Sequence, residues 1–193
     1  MRLNTDGNPA VYITPRALQK LDLYSQLCQS EISGLGSVTR AGNNFVVDDI
    51  YLFRQVVDPA NTDLEQKDIA QFMAQCVQSG IDTSFLKLWF HGHADAPVYW
   101  SQKDEATIAR FHNRWMLSIV TNHARQYEVR LDIYDPLRMT FRGLAFEVLV
   151  EPPTDSLLPE LVGQEIKEKV KVVRMKPYGR AIRAMPVPAG GEE

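Results

Sequence analysis

Five residues of the types used in metal-dependent hydrolysis occur at spacings that could bring them together: Glu31, His91, His93, Ser101 and Asp104. His91 and His93 follow an apolar segment and are separated by one residue, and residues two apart in an extended segment point to the same side. Both imidazoles can therefore face one metal ion. Asp104 falls in the first turn of the next predicted helix, from which its carboxylate could supply a third ligand.

Two histidines and one carboxylate are a typical ligand set for catalytic zinc, with the fourth coordination position left open for water. Zinc lowers the pKa of that water to about 7, which makes a nucleophile available at neutral pH. The reaction also needs a proton acceptor, for which Glu31 is a candidate. Ser101 could donate a hydrogen bond to the oxyanion of a tetrahedral intermediate. The set predicts one zinc ion per chain and a hydrolytic reaction.

This arrangement resembles the JAMM motif of MPN-domain metalloproteases. That motif has a glutamate followed three residues later by glycine, then His-x-His, with a serine ten residues and an aspartate thirteen residues after the first histidine. Here Gly34 follows Glu31 by three residues. Ser101 lies ten residues after His91, and Asp104 lies thirteen residues after it. All five positions of the motif match.

The resemblance implies a role for each of these side chains. The zinc ligands would be His91, His93 and Asp104, the general base and proton shuttle would be Glu31, and the oxyanion would be stabilised by Ser101. Relatives with the complete motif cut isopeptide or peptide bonds after the C-terminal glycine of ubiquitin or a ubiquitin-like protein. The expected partner is therefore a ubiquitin-like or sulfur-carrier-like protein. A homodimer also fits by analogy, because MPN relatives often pair.

The chain departs from the family pattern at two positions. Members usually read His-Ser-His-Pro, whereas this chain has Gly92 between the histidines and Ala94 after them. Neither replaced residue is a ligand, so metal binding should persist. The loss of the proline is expected to loosen the loop after His93 and to alter its fit to substrate.

Three other His-x-His families fit less well. Metallo-β-lactamases need a further histidine where Ala96 stands, cupins need a glutamate where Pro97 and Val98 stand, and amidohydrolase barrels need about 250 residues. His112 and His123 are expected at the surface.

Two alternative functions stay open. One is an MPN-type binding or scaffold module without catalysis, and the other is a JAMM peptidase that acts on small peptides.

The segments that must position these side chains alternate between strand-like and helix-like patterns. Strands are predicted at Val11–Thr14, Glu31–Val38, Phe45–Phe53, Phe85–Phe90, Trp115–Thr121, Val129–Asp135 and Thr140–Val150, and helices at Arg16–Gln29, Leu64–Gln78, Gln102–Phe111 and Leu157–Lys171. Phe85–Phe90 is almost continuously apolar, which is typical of a central strand covered on both faces. Val129–Asp135 alternates, which is typical of a half-buried antiparallel strand. The order predicts an α/β fold with a mixed central β-sheet flanked by helices. The resemblance, which covers about residues 10–150, makes it an MPN/JAMM-type, cytidine deaminase-like fold.

Composition and charge narrow the class of protein further. We predict an MPN/JAMM-type domain over residues 1–150, followed by a C-terminal helix and a flexible basic tail over 151–193. The net charge of −3 argues against a nucleic-acid binder or a binder of anionic membranes. No stretch approaches the roughly 18 apolar residues of a membrane span. The two cysteines are predicted to be buried thiols, and the first ten residues lack the apolar run of a signal peptide. These features predict a cytoplasmic protein.

Overall fold

In a computed structural model of the protein, a large mixed β-sheet curls around an apolar core and is flanked by helices. The structure describes residues 8–58, 61–111, 113–149 and 157–173. Within these ranges the strands are β1 (Ala10–Ile13), β2 (Ile32–Ala41), β3 (Asn44–Leu52), β4 (Gln55–Asp58), β5 (Asn61–Leu64), β6 (Leu86–Gly92), β7 (Trp115–Thr121), β8 (Tyr127–Ile133), β9 (Met139–Arg142), β10 (Ala145–Val148) and β11 (Val170–Val172). The helices are α1 (Pro15–Leu27), α2 (Gln66–Gln78), α3 (Gln102–Ile108) and α4 (Leu158–Lys169), and a 3₁₀ turn spans Thr83–Phe85. The α/β class predicted from the sequence is confirmed.

The main sheet has eight strands in the order β10-β1-β3-β2-β6-β7-β8-β9. β1 is parallel to both β3 and β10, and β6 is parallel to β7. The other neighbours are antiparallel. Aromatic rings meet across strands that are not neighbours: the centroids of Phe45 and Trp115 are 5.0 Å apart, and those of Tyr127 and Phe146 are 5.3 Å apart. The sheet is therefore strongly curled.

Helix α1 begins where the sequence places its signals. Pro15 occupies the first turn, where no backbone donor is needed, and the Thr14 hydroxyl accepts a hydrogen bond from a backbone N–H of that turn. Leu21 and Tyr24 on its inner face are fully buried. The Tyr24 ring stacks on Phe90 of β6 at a centroid distance of 5.9 Å. The helix thus supports the strand that leads to the histidines.

Strand β6 lies in the middle of the sheet, between β2 and β7, and is covered on both faces as predicted. The approach of β6 to β2 explains the glycine at position 34. A Cβ atom on Gly34 would lie 2.4 Å from a carbon of the Phe90 ring and 2.4 Å from the Tyr51 carbonyl oxygen. Only glycine leaves room for both neighbours, so this residue is needed for packing beside the site.

Two features of the local structure were not predicted. Strands β4 and β5 were not expected, and they form a second sheet in the order β11-β4-β5. The single strand expected at Thr140–Val150 is two strands, β9 and β10, at the two edges of the main sheet. Gly143, with φ of +62°, turns the chain between them. A continuous β-like pattern does not reveal such a break.

The prediction that β8 is half-buried was also wrong. Arg130 and Asp132, which were expected to face solvent, are only 3% and 4% exposed. The Arg130 side chain contacts Glu105, so α3 packs over this face of the strand. The charges of Arg130 and Asp132 neutralise one another on this buried face. A hydropathy pattern counts both residues as polar and therefore predicts that they face solvent.

The C-terminal helix α4 is present as predicted and packs on α1. Leu158 and Val162 belong to the same apolar cluster as the main sheet, and β11 pairs with β4. The division into residues 1–150 and 151–193 stays a prediction. The tail that was predicted to be flexible lies outside the described residues, which end at residue 173.

Cys28 and Cys76 are both buried and form no disulfide, as predicted. Among the described helices, none is long and apolar enough to cross a membrane.

Candidate metal centre

His91 and His93 lie at and just beyond the end of β6. The backbone N–H of His93 donates to the carbonyl oxygen of Thr121 on β7 at 2.9 Å, which extends the strand pairing past the end of β6. The two-residue alternation therefore continues, and both imidazoles lie on the same face of the sheet. Their centroids are 4.8 Å apart with the rings nearly perpendicular, and each residue is 4% exposed.

Two carboxylates reach the same point from other segments. Glu31, immediately before β2, places Oε2 3.5 Å from His91 Nε2. Asp104, in the first turn of α3, places Oδ1 3.5 Å from His91 Nε2 and Oδ2 3.7 Å from His93 Nε2. Ligand atoms of Glu31, His91 and His93 lie within 4.8 Å of one another, so this group could hold a metal ion.

The distances suit a small tetrahedral ion. Atoms bound at about 2.0–2.1 Å in tetrahedral geometry are about 3.3–3.4 Å apart, close to the 3.5 and 3.7 Å measured between the carboxylate and imidazole atoms. A four-coordinate site with one open position needs only three protein ligands. The centre therefore offers one carboxylate more than such a site requires, which leaves either Glu31 or Asp104 for another role.

Ser101 and Asp104 form the capping box of α3. The Ser101 hydroxyl oxygen accepts a hydrogen bond from the backbone N–H of Asp104 at 3.2 Å, and Asp104 Oδ2 accepts one from the backbone N–H of Ser101 at 2.8 Å. This reciprocal pair satisfies two N–H groups at the start of the helix and fixes the carboxylate beside the histidines. The Ser101 hydroxyl keeps its own proton for donation.

The second ring nitrogen of His93 is held by the loop that follows it. Nδ1 lies 2.9 Å from the carbonyl oxygen of Pro97, which can only accept a hydrogen bond. Nδ1 therefore carries the proton, and Nε2 is left free to bind a metal ion. Asn122 fixes this loop by donating from Nδ2 to the carbonyl oxygen of Ala96 at 3.0 Å. Sequence reasoning missed Asn122 because its partner is 26 residues away in the chain.

His123 supports the same loop and is not the surface histidine that was predicted. Its ring lies between Asp95 Oδ1, at 2.8 Å, and the carbonyl oxygen of Cys28, at 3.1 Å. Its backbone N–H donates to the carbonyl oxygen of Ala94, which has a φ of +48°. These contacts hold the loop that follows His93. His112 lies outside the described residues.

Burial and neighbouring charges give Glu31, His91 and Asp104 different protonation states. Burial raises the pKa of Glu31 to about 7, an effect that His93 opposes and Asp104 reinforces. Burial lowers the pKa of His91 to about 4, so this ring is neutral at pH 7. Burial also opposes ionisation of Asp104, but the nearby His93 and His91 imidazoles and the hydrogen bonds with Ser101 outweigh it and lower the pKa of Asp104 to about 2. Asp104 is thus a permanent anion, whereas Glu31 can take up and release a proton.

A cleft of about 720 Å³ opens beside the metal centre. Glu31, His91, Ser101 and Asp104 line one part of it. The rest of the cleft is lined by residues of strand β5 and by large apolar side chains of other elements. The β5 residues are Thr62, Asp63 and Leu64, and the apolar side chains are Leu35, Ile69, Trp89 and Phe111. β5, which lines the cleft with these three residues, is the terminal strand of the three-stranded sheet.

A scan against protein-family models found no match, and a search of curated proteins found none either. Among solved structures, the chain is similar to the solution structure of protein DSY2949 from Desulfitobacterium hafniense. The two share 14% sequence identity over 77% of this chain and 97% of that chain, with a TM-score of 0.49. A likeness at this level carries no argument about function.

Proposed function

We propose that this chain is a JAMM-type zinc metallopeptidase with an MPN-like fold. It hydrolyses the amide bond after the C-terminal glycine of a ubiquitin-like or sulfur-carrier-like protein. The observation that carries the proposal is that three separate segments bring their functional groups to one point. The carboxylate and imidazole atoms there are 3.5 to 3.7 Å apart. A motif matched by chance in the sequence gives no reason for such convergence.

We assign the ligands as His91, His93 and Asp104, and the general base as Glu31. Asp104 stays ionised because its pKa is about 2. Its carboxylate is also fixed by the capping box and lies beside both imidazoles. Glu31 has a pKa of about 7 and lies near Nε2 of His91. A group with a pKa close to the working pH is suited to move protons, and a permanent anion is suited to bind a cation.

The chain's own residues supply the rest of the chemistry. A zinc ion held there would polarise the scissile carbonyl and make water acidic enough to attack it. Glu31 accepts the proton of the attacking water and returns it to the leaving amine. Ser101, at the start of α3, donates its hydroxyl proton to the oxyanion. The Pro97 carbonyl keeps the proton on Nδ1 of His93, which preserves Nε2 as a ligand.

The cleft supports a substrate that binds in extended form. An extended peptide can add to an exposed strand edge through main-chain hydrogen bonds, and β5 offers such an edge along the cleft. Near the metal centre β2 and β5 approach closely, since Ser33 Oγ and Thr62 Oγ1 are 2.7 Å apart. A substrate backbone that passes close to these strands needs small residues next to the cleaved bond, which suits a diglycine C-terminus.

The direct test is a cleavage assay on a ubiquitin-like protein whose C-terminal diglycine is joined to a reporter amine. Zinc-loaded wild-type protein should release the reporter, and a chelator such as 1,10-phenanthroline should stop the release. Glu31→Gln should keep its zinc but lose about 100- to 10,000-fold in rate, the range expected for loss of a general base. Glu160→Gln, an exposed residue on α4, is the matched control and should be fully active.

The outcomes separate the candidate functions. A protein that takes up zinc but cleaves neither diglycine conjugates nor short peptides would support the alternative of a non-catalytic MPN-type binding module. Cleavage of short peptides alone would support the small-peptide alternative. A protein that takes up no divalent metal would refute the enzymatic proposal altogether.

A further inference from the structure

A buried arginine connects strand β8 to the helix that carries Ser101 and Asp104. Arg130 is 3% exposed. Its Nε and Nη2 donate to the two carboxylate oxygens of Asp132 at 2.8 and 2.7 Å. Its Nη1 donates to Glu105 Oε1 on α3 at 2.8 Å. All three bonds are charge-assisted, and a bidentate pair fixes the guanidinium plane as well as its position.

The contacts of β8 reach both ends of the segment that holds the functional groups. Glu105 comes directly after Asp104. Trp100 comes directly before Ser101, and its Nε1 donates to Glu128 Oε1 of β8 at 2.7 Å. The Arg130 guanidinium also lies over the Trp100 ring, 5.2 Å from its centroid, a distance at which a cation is attracted by the ring. The segment is therefore attached to β8 at its first and last residues.

We infer that Arg130 is a positioning residue for the metal centre, acting through Glu105 and Trp100 to set the start of α3; the inference rests on the proposed metal site. The capping box locks the Asp104 carboxylate to the helix backbone. Its distance from the imidazoles then depends on where α3 lies relative to the sheet. Arg130 on β8 is a polar attachment that fixes this position through Glu105.

The buried charges of Arg130 and Asp132 are needed to position α3 more than to stabilise the fold. A buried ion pair contributes little net stability compared with apolar residues of the same volume, because desolvation offsets its attraction. A guanidinium does provide several directed donors from one rigid plane. Here Asp132 holds that plane from one side, and Thr140 Oγ1 donates to Asp132 Oδ1 at 2.7 Å. The remaining donor then fixes Glu105 in one place.

The test removes the attachment without leaving a buried charge unpaired. In Glu105→Ala, Arg130 keeps its bidentate partner Asp132, and the substituted side chain is 39% exposed, so the fold should persist. The affinity for Zn²⁺ or Co²⁺ should fall by about 10-fold, the lower range for partners outside the ligand set. The visible spectrum of the Co²⁺ protein should also change. Arg142→Ala is the matched control, since Arg142 also pairs with Glu105 but is exposed and lies on β9, at the edge of the sheet.

A second variant separates positioning from a general loss of stability. Glu105→Gln keeps an oxygen that can accept from Arg130 Nη1, so it should recover most of the metal affinity and the wild-type Co²⁺ spectrum. Equal metal affinity and identical spectra in wild type, Glu105→Ala and Arg142→Ala would overturn the inference while leaving the proposed function intact. Failure of the wild-type protein to bind either metal would overturn both.

Discussion

The assignment of the two carboxylates can be tested by exchanging each for its amide. Asp104 Oδ2 accepts from the backbone N–H of Ser101 at 2.8 Å. In Asp104→Asn, the amide oxygen must occupy that position, because an NH₂ group cannot accept the bond. The NH₂ group then takes the place of Oδ1, which lies 3.5 Å from His91 Nε2. It presents hydrogens to the metal position, where a lone pair is required.

The expected fall in zinc affinity of Asp104→Asn follows from the loss of this lone pair. Substitutions of groups outside the ligand set cost 10- to 100-fold in metal affinity, so loss of a ligand should cost more than about 100-fold, or roughly 2.8 kcal/mol. In Glu31→Gln the three proposed protein ligands are unchanged, and the affinity for zinc should stay within about 10-fold of wild type. Only the turnover should fall.

Competition for Zn²⁺ against a chromophoric chelator measures both affinities directly. Asp135→Asn, at an exposed position, is the matched control for the amide substitution. If Glu31→Gln weakened binding more than Asp104→Asn, the reasoning from the capping box and the two pKa values would be refuted. The ligands would then be Glu31, His91 and His93.

Substitutions at three further positions test other parts of the site and the core. Ser101→Ala should lower turnover by roughly 10- to 1000-fold through loss of an oxyanion donor, and should lower the free energy of unfolding by about 1 kcal/mol through loss of the helix cap. Ser101→Gly should lower turnover equally but lower the free energy of unfolding by only a few tenths of a kcal/mol. Steady-state rates and thermal melts therefore separate the two roles. Asn122→Ala should weaken metal binding about 10-fold, because it frees the loop whose Pro97 carbonyl orients His93, and unchanged affinity in the chelator competition would contradict this. Burial raises the pKa of Asp22 above its ordinary 3.8 in spite of its hydrogen bond with Tyr127. The stability that Asp22 contributes when protonated is therefore present below pH 3.8 and lost as pH rises through the raised pKa. Asp22→Asn should remove that decline in melts of the metal-free protein, and an unchanged pH profile would show that Asp22 titrates normally.

The order of strands and helices was largely predictable because it depends on local patterns. The bounds of β7 were predicted to the residue, and β1, β6, α1 and α2 were placed within a few residues. In each case apolar residues repeat at the period of the element, and residues such as Pro15 mark its start. The failures were the short strands β4 and β5, which were not predicted, and the break at Gly143, which divides one predicted strand into two.

The sequence by itself determined which donors the centre could contain. The one-residue separation of His91 and His93 places both rings on one face of an extended chain, and the Ser101–Asp104 spacing is that of a capping box. These relations are local, since they follow from the geometry of a strand and of a helix start. They suffice to predict metal chemistry and the residues that carry it.

Only the tertiary structure decided how those donors are held and how they differ. Glu31 and Asp104 are the same kind of group, yet burial gives one a pKa of about 7 while imidazole and backbone contacts give the other a pKa of about 2. Arg130 changes from an expected surface residue to a buried link because α3 packs over β8. Such contacts join residues far apart in the chain, and no local pattern encodes which charged face another element will cover.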